Sequence, residues 1–392
     1  MAGVYPISFG RGNPRTMGQK REARCAAGFV GNRLILERIQ NMRPEQWDIF
    51  KRAARLEKLD QVPMAMIVDS PWIPGHLGIK HMDYFLDPEL WFQSNKKINE
   101  EFPDIIMVPS WWMEYGMAAE PSALGSKIKF WADNTPSEYH TLYHIEDIEK
   151  FPEYEVENDA FMAMTLHRMR MHRQRIADLG EVQPFVTSRG PMCTAGFVRG
   201  TTDLMIDLVE KPEWAHKLLD LTTRLTIDWL KAQVKAMGNQ AEGIFLLDDI
   251  VGFVNEEHYM EFCHPYLKRI CDAFPQDWVK LYHNDAEVQA CLDHLPDVGF
   301  NVLNWGKQTD YAEVKDRVGD RMCLMGNVNP LEVGVRGTPE EVREATLDVL
   351  EKSGGQGIIL SVGGGTSPGM PKRNIEAMLA ALEEFNSRGV AV

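Results

Sequence analysis

Eight short apolar runs recur along this chain, each closing on polar, Gly or Pro residues. They are PMAMIVD (63–69), DIIMVPS (104–110), PFVTSRGP (184–191), GIFLLDD (243–249), WVKLYHND (278–285), FNVLNWG (300–306), RMCLMGNV (321–328) and GIILSVGGG (357–365). They are near-continuously apolar rather than alternating, the pattern of strands buried on both faces of a parallel sheet. Helical segments lie between most of them. The stretch 201–237 is long enough for two helices meeting near Pro212, and 258–274 and 338–353 are amphipathic, the latter with Thr338 as N-cap and Pro339 at the first helical position. The segment 372–389 ends on Arg388 and a glycine, a helix stop signal. Eight such units predict an α/β fold of (β/α)8 barrel type. A doubly wound open sheet is the competitor; the count of eight and the even spread of polar strand ends favour the barrel.

Residues 1–60 are expected to form an N-terminal arm and helix. The first forty or so are weakly periodic, suited to wrapping the domain or contacting a second subunit, and 43–59 places Trp47, Phe50, Ala54 and Leu56 near helical spacing. Residues 61–392 are read as one barrel domain, because no linker or low-complexity tract divides them. The stretch 111–183 is too long for one crossover and predicts an insertion after the second strand.

Lys plus Arg total 42 against 57 Asp plus Glu, a net charge of −15, which argues against nucleic acid or an anionic membrane as the main partner. The six cysteines (Cys25, Cys193, Cys263, Cys271, Cys291 and Cys323) make no CxxC, which fits a reducing compartment. The first residues lack a signal-peptide apolar core, and no apolar stretch approaches the roughly 18 residues of a membrane span. A cytoplasmic protein is expected. The 21 methionines and 10 tryptophans hint at an aromatic-lined cavity, although core packing accounts for most of the methionines.

In a barrel, chemistry sits at the C-terminal strand ends. That directs attention to Asp69, the Trp111–Tyr115 segment, Arg189, Asp248, Asp249, His283, Asn284, Asp285, Asn304, Asn327 and the 363–371 loop. Residues two apart on a strand share a face, so His283 and Asp285 make a candidate acid/base or metal pair. The competing reading has His283 as a satisfied core histidine and Asp285 as the cap of a following helix. Asp248 and Asp249 point to opposite faces, so one of them is expected at the cavity, where burial would raise its pKa and suit it to proton donation. Trp72, His76, Trp111, Trp112 and Tyr115 are candidates for holding a large planar substrate, or else a lid's own small core. Arg189 and Asn327 are further substrate candidates. The glycines Gly326, Gly363, Gly364 and Gly365 lie in two neighbouring loops and would form a pocket rim or an anion cradle; a plain barrel-closing connection is the alternative. No P-loop, strand-borne GxGxxG, GxSxG or HExxH is present.

The order of several segments resembles the uroporphyrinogen decarboxylase superfamily. They are FPDI (102–105) with Tyr115-Gly116, Gly125 and Lys127–Phe130; SRGPMCTAGFVRG (188–200) followed by KPE; DDIVGF with YMEFCHPYLKRI; then LYHND, MGNVNP with GTPEEV, and GGGTSPGMPKRNI. The resemblance covers roughly residues 45–388 and implies the same barrel. Its decarboxylase branch holds substrate carboxylates with an early Arg-rich segment, where this chain has DSPWIPGHLG, so true uroporphyrinogen decarboxylation is demoted. In the corrinoid-dependent methyltransferase branch, enzymes that methylate a thiol hold zinc through His-x-Cys and a later Cys in the last glycine loop. The first position is His283 here, the second is Asp285 and the third falls near Gly364. Two of three ligands have changed, which argues against zinc and a thiol acceptor and leaves His283 as the sole metal candidate.

The resemblance therefore implies a corrinoid (cobalamin)-dependent methyltransferase, moving a methyl group between a bulky, methoxylated aromatic or other small-molecule substrate and a cobalt centre. His283 with Asp285 or Asp248 would act as general acid. The chain lacks its own corrinoid signature, so the corrinoid would bind the barrel mouth directly or arrive on a partner corrinoid protein. A homodimer is expected from the family. The alternatives are a decarboxylase of a carboxylated aromatic or tetrapyrrole, and a non-catalytic tetrapyrrole-binding barrel.

Overall fold

A computed structural model describes residues 42–151 and 153–389. Every apolar run contains a strand: β1 (Ala65–Ile67), β2 (Ile106–Val108), β3 (Phe185–Arg189), β4 (Gly243–Leu247), β5 (Val279–Asn284), β6 (Val302–Trp305), β7 (Cys323–Val328) and β8 (Ile358–Val362). Strands β3 to β8 form a six-stranded parallel sheet in chain order, and β1 pairs with β2 in parallel. A parallel bridge from Met64 to Leu360 joins β1 to β8. The ladder thus runs round the molecule and is open at one seam, between β2 and β3. The chain itself explains the seam. After three residues of β2 comes Pro109, which has no N–H to donate. Ser110 and Trp111 then adopt left-handed φ values of 71° and 49° and turn the chain away. Side chains close the gap, since Ile106 and Val108 share a buried cluster with Phe185. The architecture is the (β/α)8 barrel in strand order and direction, with one unladdered seam.

Two apolar clusters record the pleat of these strands. Ile67, Val108, Phe245, Leu281, Met325 and Ile359 belong to the inner one, inside the ring. Their neighbours Met66, Met107, Leu246, Tyr282, Leu324 and Leu360 belong to the outer one, between strands and helices. The helix Pro44–Ala54 adds Trp47 and Phe50 to the inner cluster. It covers the N-terminal end of the barrel: Trp47 and Phe50 pack edge-on against Phe185 at the start of β3, and the Trp47 indole N–H donates to Glu242 just before β4. Burying each of these rings contributes about 1.5–3 kcal/mol.

The segment after β2 holds a short helix (Ala119–Ala123), an antiparallel pair of two-residue strands (Ile128–Lys129 with Ser137–Glu138) and a 3-10 turn (Ile145–Lys150). The crossover helix Ala160–Ala177 follows. The stretch 201–237 forms Thr201–Glu210 and Pro212–Ala236 on either side of Lys211. Thr338 makes the capping box of Pro339–Ser353, and Gly389, at φ 75°, follows the last helix, Lys372–Ser387. The expected N-terminal arm and Cys25 lie outside the described residues. Among the described residues no helix is long and apolar enough to cross a membrane.

Candidate active site at the barrel mouth

Extending the inner-facing parity past each strand brings a polar ring to the C-terminal end: Asp69 beyond β1, Arg189 on β3, Asp249 beyond β4, and His283 and Asp285 on and beyond β5. Asn304, Asn327 and Ser361 follow on β6, β7 and β8. His283 is at its centre and is 4 % exposed. Its Nδ1 lies 2.7 Å from Asn304 Oδ1. The Asn304 amide nitrogen donates to the carbonyls of Met325 and Val362, which fixes the amide's orientation and makes its oxygen the acceptor of the His283 Nδ1–H. His283 Nε2 therefore faces the mouth, 3.6 Å from Asp285 Oδ1 and 3.8 Å from Asp249 Oδ1. Burial by itself would push this imidazole down, but the charges of Asp285 and Asp249 and the bonds to Asp285 and Asn304 raise it to about 9. It is an imidazolium at neutral pH. Burial opposes ionisation of Asp285, yet His283 holds its carboxyl below the usual range. The helix that Asp285 was expected to cap does not form: a turn leads on to the 3-10 segment Leu292–His294.

The strand pleat separates the two aspartates that end β4. Asp249 reaches the mouth, where it accepts the Asp285 backbone N–H at 2.7 Å. Asp248 turns outward and is fully buried. Its carboxylate accepts the backbone N–H groups of Cys193 (2.7 Å) and Met192 (3.4 Å). The helix Pro191–Arg199 has Gly190 at its N-cap, with no side chain to satisfy those donors, and Asp248 supplies the cap from the neighbouring strand. A Cβ on residue 190 would stand 2.2 Å from Asp248 Oδ2, so glycine is required there. Burial raises Asp248 to about 7, but the group does not face the cavity. Its expected role as a general acid is corrected to a structural one.

Arg189 lies over the Trp112 ring, 5.6 Å from its centroid, and 3.9 Å from Glu114. Glu120 accepts the Arg189 backbone N–H and the Ser188 hydroxyl. Burial pushes Glu114 up while Arg189 pulls it down, and the net direction is up. Sequence reading missed both glutamates: after β2, Glu114 sits in irregular chain and Glu120 on a short helix, where strand parity gives no guidance, although the acid inside SWWMEYG was a visible signal.

The aromatic residues separate. Only Trp112 packs on the barrel interior, against Phe245. Trp72 is buried, stacks on His76 and donates to the Met370 carbonyl. His76 pairs with Glu101 at 3.0 Å. Trp111 packs on Trp91 and Phe92 and donates to Glu181, and Tyr115 packs on Phe85 and Phe161. These four belong to the layer between strands and helices rather than to a substrate wall, which corrects their assignment.

The glycine loops are closed on the protein itself. A Cβ on Gly364 (φ 104°) would lie 2.1 Å from Asp285 Oδ1, one on Gly363 2.9 Å from the Trp305 carbonyl, and one on Gly326 3.4 Å from the Trp305 ring. Only Gly365 looks toward the mouth, 3.7 Å from Asp69 Oδ2. Asn327 packs against Gly363 and donates to the Thr309 carbonyl at 3.4 Å. The expected anion cradle at Gly326, Gly363 and Gly364 is thus replaced by a brace that seats Asp285.

Where zinc in the thiol-methylating branch would want thiolates, this chain places Asp285 and Gly364 beside His283. Among the described residues no group of three or more His, Cys, Asp or Glu is arranged to hold an ion, and the described cysteines are all buried and unpaired.

Comparison with known proteins adds three findings. The sequence model of the family "Uroporphyrinogen decarboxylase (URO-D)" matches residues 46–385. Curated relatives include the uroporphyrinogen decarboxylase of Pseudoalteromonas translucida, 25% identical over 281 residues that span 68% of this chain and 76% of that protein. The uroporphyrinogen decarboxylase of Coxiella burnetii is 29% identical over 184 residues, 46% of this chain and 50% of that one. Among solved structures, a methyltransferase from Methanosarcina mazei superposes with a TM-score of 0.72 at 21% identity, covering 86% of this chain and 97% of that one. A B12-independent methionine synthase from Shewanella sp. W3-18-1 gives 0.54 at 10% identity, covering 84% and 97%. At these identities the two structures speak for the fold.

Proposed function

The chain belongs to the uroporphyrinogen decarboxylase (URO-D) family, and we propose that within it the protein acts as a corrinoid-dependent methyltransferase. The observation that carries this reading is His283, a buried imidazolium aimed at the mouth by Asn304 and flanked by Asp285 and Asp249. A methyl group leaving an oxygen or nitrogen leaves behind a basic atom, and a positioned acid of matched pKa lowers that barrier. The charge around the mouth points the same way. Arg189 already faces Glu114, so a substrate with several carboxylates would meet one committed arginine and a ring of acids. That weighs against porphyrinogen decarboxylation, even though the curated relatives carry that name.

A bound corrinoid would supply the cobalt nucleophile that accepts the methyl group. The residues suited to meet its methyl-bearing rim are Met117, Phe253 and Leu331, exposed on the segments that follow β2, β4 and β7. Because the glycine loop is filled by Asp285, the reading favours a corrinoid brought to the rim by a partner protein over one embedded in this chain. The chain's own residues then do three things. Arg189, Trp112 and Asn327 line the mouth and orient the methyl donor. Asp285 and Asp249 keep His283 charged. His283 Nε2 gives its proton to the departing heteroatom.

The test is spectroscopic. Pure protein incubated with reduced cobalamin and methoxylated donors should convert the cobalt spectrum to that of methylcobalamin, and His283→Ala should slow this by about 100-fold or more. Carbon dioxide release from a porphyrinogen, with no methylcobalamin from any donor, would overturn the reading.

A further inference from the structure

The charged groups of the mouth are partnered with one exception. The Arg189 guanidinium faces Glu114, and His283 faces Asp285 and Asp249. Among the described residues the Asp69 carboxylate, just beyond β1, makes no ion pair within 4 Å, although Arg189 and His283 act on it from farther off, and its Oδ1 is cut off from solvent with no hydrogen-bond partner. Two hydroxyls lie at the corresponding ends of the neighbouring strands. Ser361 on β8 is 0 % exposed, follows the inward parity of Ile359, and has an unpartnered Oγ. Ser110, directly after β2, is also buried with an unpartnered Oγ. Thus β8, β1 and β2, consecutive in the ladder, each end in a buried polar atom that the protein leaves unsatisfied. Unmet groups of this kind are costly unless a ligand or an ordered water completes them.

We propose that Asp69, with Ser361 and Ser110 at the neighbouring strand ends, is the subsite for a protonated amine carried by the substrate. The chemistry selects this class. A carboxylate without an ion-pair partner wants positive charge. Two hydroxyls with free lone pairs want N–H donors, which a protonated amine has and a quaternary ammonium lacks. An anion would meet Asp69, Glu114 and Asp285 together. In the free protein, burial first and then Glu114 push the Asp69 carboxyl well above its usual range, against the pull of Arg189 and His283. An incoming ammonium works against that balance and favours the ionised carboxylate, so amine binding is linked to proton release. Resting on the methyltransferase reading, the inference narrows the donor to a two-ended molecule, its amine at Asp69 and its methyl-bearing heteroatom at His283.

Binding can be read apart from turnover by titration calorimetry at pH 7 with benzylamine, benzyl alcohol and benzoate, repeated in buffers of different ionisation enthalpy. Benzylamine is expected to bind at least about 10-fold more tightly than the alcohol, with benzoate weakest and protons released as the amine binds. Asp69→Asn should abolish both the preference and the proton release while His283→Ala keeps them. Folding of each variant is checked by its thermal transition, and Asp69→Glu should restore part of the preference. No saturable amine binding, equal affinity for amine and alcohol, or a preference that survives Asp69→Asn overturns the subsite. Amine binding as expected with no methylcobalamin from any donor would instead overturn the reading of the reaction and leave the subsite standing.

Discussion

At the level of single residues, the mouth is organised around which nitrogen and which carboxylate hold a proton. Asp285 and Asp249 outweigh the burial of His283, so its raised pKa makes the charged form part of the fold. That contribution is complete below the ordinary histidine pKa and is lost as pH rises through about 9. The rate of methyl transfer should therefore carry a descending limb near pH 9. In Asp285→Asn that limb should move to lower pH, because a charge that raises His283 is gone; a pH–rate profile whose limb stays in place would remove Asp285 from this role. Asp248 shows how one step along a strand changes a residue's work. Its carboxylate caps the helix Pro191–Arg199 across the sheet, so Asp248→Ala should lower stability by about 1–2 kcal/mol in chemical denaturation, with little change in the His283 pH limb.

The connecting elements set how tightly that chemistry is held. The GGGTSPGMP loop is glycine-rich because its backbone must pass close to Asp285, Trp305 and Asn327. Gly364 also sits at φ 104°, a conformation that side chains disfavour. Gly364→Ala should displace Asp285 from His283 and lower the rate by about 10-fold or more while the protein remains folded. An unchanged rate and an unchanged His283 titration by NMR would show that the loop does not brace Asp285. The segment after β2 shows the reverse relation. Pro109 and the left-handed Ser110 and Trp111 end the strand early, and the freed chain delivers Glu114 and Glu120 to Arg189 from outside the sheet's register.

Across the whole barrel, chemistry and stability lie at opposite ends. The helix Pro44–Ala54 seals the floor with Trp47 and Phe50, while the titratable groups gather at the mouth. Trp47→Ala removes a ring that stacks on Phe50 and meets Phe185, and it takes away one of the two donors to Glu242, leaving Lys51. It should cost about 3–5 kcal/mol in denaturant unfolding, and the kcat of the folded fraction should stay within about 2-fold. A large loss of kcat at full stability would mean that floor and mouth are coupled.

The sequence by itself determined the eight strands, their order and the rule for which residues face inward, because doubly buried strands must be continuously apolar and the side-chain period is two. It also determined that His283 and Asp285 share a face and that only one of Asp248 and Asp249 reaches the cavity. Only the tertiary structure decided which one. That choice depends on which face of β4 is inside the ring, and the run GIFLL is apolar on both. The aromatic residues were left open for a related reason: Trp72, Trp111 and Tyr115 read alike as a substrate wall or as a lid's own core, and packing against helices that follow β1 and β2 settled them as core. Glu120 and the unmet oxygen of Asp69 were illegible in the chain, because neighbours and missing partners belong to the three-dimensional fold and no local pattern records them.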